Sequence, residues 1–176
     1  MSNIRKGLKK VEVGLKWDPS PAGASAHDLD IVAATYTSDD PHGSPAYLVH
    51  FDSRSPDGTI TLSRDSKTGQ GFGYDEVMVL ELDRLAERYV RVVVGVAIQQ
   101  PSEGRVFGDI LNASFRIREG HTNLVEQDFT EVADCTAAVV AEFARDQPGG
   151  TWAFRELLHG FDTDLASFTA AMGGVR

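Results

Sequence analysis

Val11, Val13, Leu15 and Trp17 alternate without a break with Lys10, Glu12, Gly14 and Lys16. A period of two places every apolar side chain on one face of an extended chain and every polar one on the other, so this segment can bury its apolar set as a strand in a half-wet sheet. The pattern returns at Ala113, Phe115 and Ile117, which alternate with Ser114, Arg116 and Arg118, and at Trp152 and Phe154, which alternate with Ala153 and Arg155. Other runs are mostly apolar and β-prone without alternating: 29–36, 47–51, 77–82 and 89–98. In the last of these Val90, Val92, Val93, Val94 and Val96 read as a strand covered on both faces. Turn chemistry separates the runs. Ser55-Pro56-Asp57-Gly58 has proline second and glycine fourth, which suits a type I turn, and Pro148-Gly149-Gly150 is another turn. Strands at roughly 10–15-residue spacing with turns between them predict a mainly β fold, a β-sandwich of two mostly antiparallel sheets.

Two segments depart from this pattern. Residues 136–145 are alanine-rich and fit either a helical or a strand period. At the end, Asp162 or Thr163 can cap a short C-terminal helix carrying Leu165, Phe168 and Met172 on one stripe, with Gly173 as its stop. There is no internal repeat, low-complexity tract or long linker, so residues 1–176 are expected to form one domain, long enough to bury a core without staples.

Lys plus Arg number 17 and Asp plus Glu 26, giving a net charge of −9. A field of that sign repels phosphate backbones and anionic lipid, and it attracts cations. Nucleic acid is therefore not an expected partner. No apolar run reaches the roughly 18 residues that span a bilayer, so no membrane insertion is expected. The basic residues near the N-terminus are not followed by an apolar core of the signal-peptide kind, and the single cysteine, Cys135, fits a reducing compartment. The expected location is the cytoplasm.

Two loops could carry chemistry. In His27-Asp28-Leu29-Asp30 two carboxylates lie two residues apart at the start of a strand, on one face, where a divalent cation would relieve their repulsion. The alternative is an Asx-turn residue beside a solvated edge aspartate. In the segment 64–76, glycines at 69, 71 and 73 allow backbone carbonyls to turn inward, and Asp65, Asp75 and Glu76 bracket the loop with anionic oxygens. Calcium takes six to eight oxygens of this mixed kind, so the loop suits it better than magnesium, which demands a stricter octahedron. The alternative is a glycine-rich hairpin connection without a ligand. Lys67 and Gly69 break the EF-hand spacing, and no Gly-Lys-Ser/Thr follows that would make a phosphate loop. His27, His42, His50, His121 and His159 are scattered without zinc spacing, and no nucleophile motif occurs.

Taken in order, Val13-Gly14-Leu15-x-Trp17, Asp28-Leu29-Asp30, Ser55-Pro56-Asp57-Gly58, the Asp65…Thr68-Gly69-x-Gly71-x-Gly73-x-Asp75-Glu76 loop, Phe107-Gly108, Asn112-Ala113 and Trp152-x-Phe154-Arg155 resemble the TerD family. These are calcium-binding domains associated with tellurite resistance and stress response in bacteria. The resemblance implies a β-sandwich and joins the two loops into one calcium site. Asp28, Asp30, Asp65, Asp75 and Glu76 would be carboxylate ligands, Thr68, Gly69 and Gly71 would offer backbone or hydroxyl oxygens, and Ser66 its hydroxyl. Where the family's loop is more acidic, this chain has Gln70, Phe72 and Tyr74, Lys67 adds a positive charge, and Gln99-Gln100-Pro101 replaces an acidic residue. Each lost carboxylate lowers calcium affinity. Phe72 and Tyr74 between glycines suggest an aromatic contact surface.

The resulting expectation is a non-enzymatic, calcium-binding stress-response protein that acts as a metal-dependent interaction module on other proteins or on itself. The alternative is a metal-independent protein-interaction or small-ligand-binding module on the same fold with a degraded calcium site. A hydrolase using the ion as a Lewis acid is a third and weaker reading.

Overall fold

The structure is a computed structural model that describes residues 7–23, 27–65, 73–99 and 104–176, with the backbone alone of Arg64 and Asp65. The described residues form β1 (Lys10–Lys16), β2 (Leu29–Thr37), β3 (Tyr47–Val49), β4 (Ile60–Asp65), β5 (Glu76–Glu81), β6 (Tyr89–Ile98), β7 (Ser114–Glu119), β8 (Thr122–Asp128), β9 (Ala137–Ala144), β10 (Ala153–Phe161) and α1 (Leu165–Ala171). They make two five-stranded antiparallel sheets, in the orders β4-β5-β1-β7-β8 and β10-β9-β6-β2-β3. The expected β-sandwich with a short C-terminal helix is therefore the observed architecture. Among the described residues no helix is long and apolar enough to cross a membrane.

The strand patterns follow from which faces are covered. Val11, Val13 and Leu15 of β1 pack in the core between the sheets with Leu29, Ile31 and Ala33 of β2 and Val92, Val94 and Val96 of β6. The far face of the second sheet is also closed: Val32, Ala34, Val93, Ala97, Ala137 and Val139 pack against Phe168, Met172 and Val175. Strands covered on both sides have no solvent face to alternate with, which is why 89–98 reads as nearly continuously apolar. The same double cover explains residues 136–145. They form a strand, β9, and their lack of alternation reflects burial on both faces rather than a helix. Phe168 seats on Gly95, where a Cβ would stand 2.5 Å from its ring, so only glycine admits this contact.

Three features differ from the sequence expectation. The helix cap is Asp164, whose side chain accepts from Ser167 N (2.7 Å). Thr163 is instead pinned to the start of β9, its N–H donating to Thr136 Oγ1 and its carbonyl accepting from the same hydroxyl. Gly173 does not stop the helix, which runs on into a 3-10 turn at Met172–Gly174. Strands β4 and β8 were not apparent in the sequence. β8 is an edge strand with only Leu124 and Val125 as apolar residues, so it carries no period to detect. The 55–58 turn is present, with Gly58 at φ 74° and the Asp57 side chain accepting from Thr59 N and Oγ1.

Candidate metal centre and the cleft beside it

The carboxylates singled out in the sequence lie where three strands begin or end. Asp28 directly precedes β2, and its carbonyl accepts from Gln99 N at 2.8 Å. Asp30 sits one residue inside β2, opposite Ala97 of β6, and is 2 % exposed. β4 ends at Asp65 and β5 begins at Glu76, and these two residues face each other across the ladder. Both ends of the glycine-rich loop are thus tied at one hairpin neck. Directly opposed residues bring their Cα atoms to about 4.5–5.5 Å.

Glu76 and Asp75 are braced by backbone donors. Glu76 is fully buried and its Oε1 accepts from Ile31 N at 2.6 Å, so a side chain from the first sheet holds the backbone of the second one residue beyond Asp30. Asp75 is 3 % exposed. Its N–H donates to Leu15 O, and its Oδ2 accepts from Trp17 N at 2.9 Å. The Trp17 indole in turn donates to the carbonyl of His27 at 2.9 Å, which ties the segment before β2 to the end of β1. The His27 imidazole is pushed below its ordinary pKa mainly by burial and also by the Arg105 guanidinium, with Asp109 opposing.

The pleat sorts these groups. Glu76 shares the inward face of Met78 and Leu80, whereas Asp30 shares the face of Val32 and Ala34. Among the described residues no group of three His, Cys, Asp or Glu side chains is gathered at one point. Ser66, Thr68, Gly69 and Gly71 of the expected ligand set lie outside the described residues, as does the Asp65 side chain. The donor chemistry fits calcium. Asp28, Asp30, Asp75 and Glu76 supply hard oxygens only, whereas zinc favours imidazole and thiolate. One N–H bond does not exhaust a carboxylate, which has about four lone-pair positions.

The expectation of an aromatic contact surface divides. Phe72 lies outside the described residues. Tyr74 lies flat on β1, its ring 2.7 Å from where a Gly14 Cβ would stand, with the Arg116 guanidinium 4.2 Å and the Lys16 ammonium 5.6 Å from its centroid. Glycine at 14 is what lets the ring settle there. The tyrosine is a packed anchor at the end of the loop.

A cleft of about 890 Å³ opens beside Asp75, bordered by Lys16, Asp18, Ile110, Asn112, Ser114 and Asp128. The sequence names Asn112 within the Asn112-Ala113 motif, and Lys16 and Ser114 on polar strand faces, but does not bring these residues together as a site. Asn112 stands at φ 55°, a backbone region that asparagine tolerates better than most residues. Elsewhere, His50 Nδ1 accepts from Asp52 N at 3.2 Å, which employs that imidazole in a tight turn. The Cys135 thiol is raised above its ordinary pKa by burial first and then by Asp162 and Asp134.

The sequence matches the TerD domain family over residues 1–171. Tellurium resistance protein TerD of Serratia marcescens is 30% identical over 178 aligned positions, covering 98% of this chain and 92% of that protein. General stress protein 16U of Bacillus subtilis is 27% identical over 98% of this chain and 92% of its own length. The crystal structure of a homologue of telluride resistance protein (TerD) from Streptomyces coelicolor A3(2) superposes with a TM-score of 0.93 at 52% identity, covering 97% of this chain and all of that one. The chain belongs to the TerD family.

Proposed function

We propose that this protein is a non-enzymatic stress-response protein that binds calcium at the end of the sandwich where β2 and β5 begin, and that the bound ion governs its docking on other proteins or on a second copy in the cytoplasm. The stress-response part rests on relatives named for tellurium resistance and general stress. The calcium part rests chiefly on one observation: Asp30, Asp75 and Glu76 are all nearly or fully buried beside the neck of the glycine-rich hairpin. Buried carboxylates are expensive to desolvate, and a divalent cation offsets that cost. When bound, calcium would supply a fixed positive charge and a tie between the two sheets. The chain's own residues supply the oxygens, the brace from Glu76 to Ile31 and the anchor at Tyr74.

The test is a thermal melt of chelator-stripped protein with no metal, with magnesium and with rising calcium. A ligand at 100 times its dissociation constant stabilises a fold by roughly 2.7 kcal/mol, which for a domain of this size raises Tm by about 5–11 °C. A calcium-selective rise that Asp30→Asn removes is the expected result. The metal-independent reading is favoured by the described residues' lack of a gathered ligand trio. It predicts identical melts with and without calcium for both wild type and Asp30→Asn.

A further inference from the structure

The cleft beside Asp75 has a wall separate from the carboxylate end. Lys16, Ser114 and Asp128 occupy one register row across β1, β7 and β8, and all three border the cleft. Residues directly opposed on neighbouring strands share a face, so the row presents an ammonium, a hydroxyl and a carboxylate in line. Two inter-strand spacings put its ends about 10 Å apart at the backbone. Asp128 is fixed as an anion, because its Oδ1 accepts from Thr130 N at 3.0 Å and that bond draws its carboxyl below the ordinary range.

The chain just beyond this row, where β1 ends and β7 begins, is clasped together. Asp18 N donates to Leu111 O at 2.9 Å, and Asn112 Nδ2 donates to Asp18 Oδ2 at 2.7 Å. Asn112 takes a left-handed backbone here, and Ile110 supplies apolar surface to the cleft lining.

We propose that this cleft binds a short zwitterionic peptide of about three residues in extended form. Its carboxylate meets Lys16, a peptide group meets the Ser114 hydroxyl, its ammonium meets Asp128, and its central apolar side chain faces Ile110. Three extended residues span about 10 Å, which matches the row. A volume of about 890 Å³ also falls within the range of roughly 300–1,000 Å³ typical of small-ligand sites. A simple anion would leave Asp128 unmatched, and a simple amine would leave Lys16 unmatched. Polyanions are opposed by Asp18, Asp75 and Asp128 together.

The experiment is a calorimetric titration of the full chain with Ala-Leu-Ala, run both calcium-loaded and chelator-stripped. The controls are acetyl-Ala-Leu-Ala-amide and Ala-Ala-Ala. Saturable binding of Ala-Leu-Ala is expected, weakened about tenfold by capping both ends. Lys16→Gln and Asp128→Asn should each weaken it about two- to fivefold, as befits exposed charge pairs. Asp128→Asn retains an acceptor for Thr130 N, so the fold is preserved. Ala-Leu-Ala should bind more tightly than Ala-Ala-Ala. Absence of saturation at millimolar peptide, equal binding of the capped peptide, or unchanged binding by both charge variants would each overturn the proposal. Peptide binding without any calcium-dependent melt would sink the calcium reading alone, and a calcium-dependent melt without peptide binding would sink the cleft alone.

Discussion

The β2–β6 pair carries a buried charge at each end, and the two ends handle it differently. At one end Arg91 lies opposite Tyr36 and is 2 % exposed. Its Nε donates to Glu142 at 2.7 Å, and its other nitrogens donate to the carbonyls of Pro41, Gly173 and Val175. The guanidinium also stands 5.4 Å from the Tyr36 ring centroid. At the other end Asp30 lies opposite Ala97, and the buried Asp75 and Glu76 accept from the backbone N–H groups of Trp17 and Ile31. A guanidinium has five donors in a rigid fork, and a chain can satisfy them with its own carbonyls and one carboxylate. Carboxylates only accept, and several together repel. The cationic end therefore reads as structure that the chain completes itself, a clamp joining the 38–46 loop to the C-terminal segment. The acidic end is the place to look for a cation.

That contrast can be broken most directly at Arg91. Arg91→Ala removes one partner of a buried pair, so a loss of about 3–5 kcal/mol is expected from urea unfolding. Replacing Arg91 and Glu142 together by methionine should recover much of it, because no buried charge is then left behind. A loss below about 1 kcal/mol in the single variant would place the clamp among the weak surface pairs and erase the contrast.

The acidic end comes next in size. Saturating calcium is expected to add roughly 2.7 kcal/mol at 100 times its dissociation constant, and Arg91→Ala should show the same calcium increment as wild type because the two ends share no ligand. A calcium increment lost in Arg91→Ala would mean the ends are coupled along β2 and β6.

Alkaline pH probes the cationic end when wild type is compared with Tyr36→Phe, since the Tyr47 phenol is also raised by burial. Burial raises the Tyr36 phenol to about 12, with Arg91 opposing and Asp40 reinforcing. A group whose pKa is raised on folding contributes fully below its unfolded value, about 10 for tyrosine, and loses that contribution as pH rises through about 12. Thermal midpoints of wild type should therefore fall faster than those of Tyr36→Phe across this window. Parallel curves would show that the phenol is not held neutral by the fold. The smallest effect is at the helix cap: Asp164→Ala should lower the unfolding midpoint slightly by removing the acceptor for Ser167 N, with the calcium increment untouched.

Much of the fold was legible because it is written in nearest-neighbour periodicity. β1 and β7 alternate since one face is wet, and β6 is apolar at nearly every position since both are covered. β9 was ambiguous and β8 invisible for opposite reasons. β9 is buried on both faces, and β8 lies on an edge with little to bury. The candidate site was legible in part. Asp28, Asp30, Asp65, Asp75 and Glu76 stood out as carboxylates flanking glycines and a strand start, and the ladder does set Asp65 opposite Glu76. The brace from Glu76 to Ile31 and the cleft row of Lys16, Ser114 and Asp128 were not legible, because each joins residues far apart in the chain.

By itself the sequence determined a β-sandwich of the TerD type, an acidic surface and a short terminal helix, since these depend on residue type and local period alone. Only the tertiary structure decided which face that helix covers, that Gly95 and Gly14 are seats for Phe168 and Tyr74, and which strands share a register. The physical reason is that a pleat fixes which side a residue faces only once its partners are chosen. That choice is made by pairing and packing over the whole chain, not by any one segment.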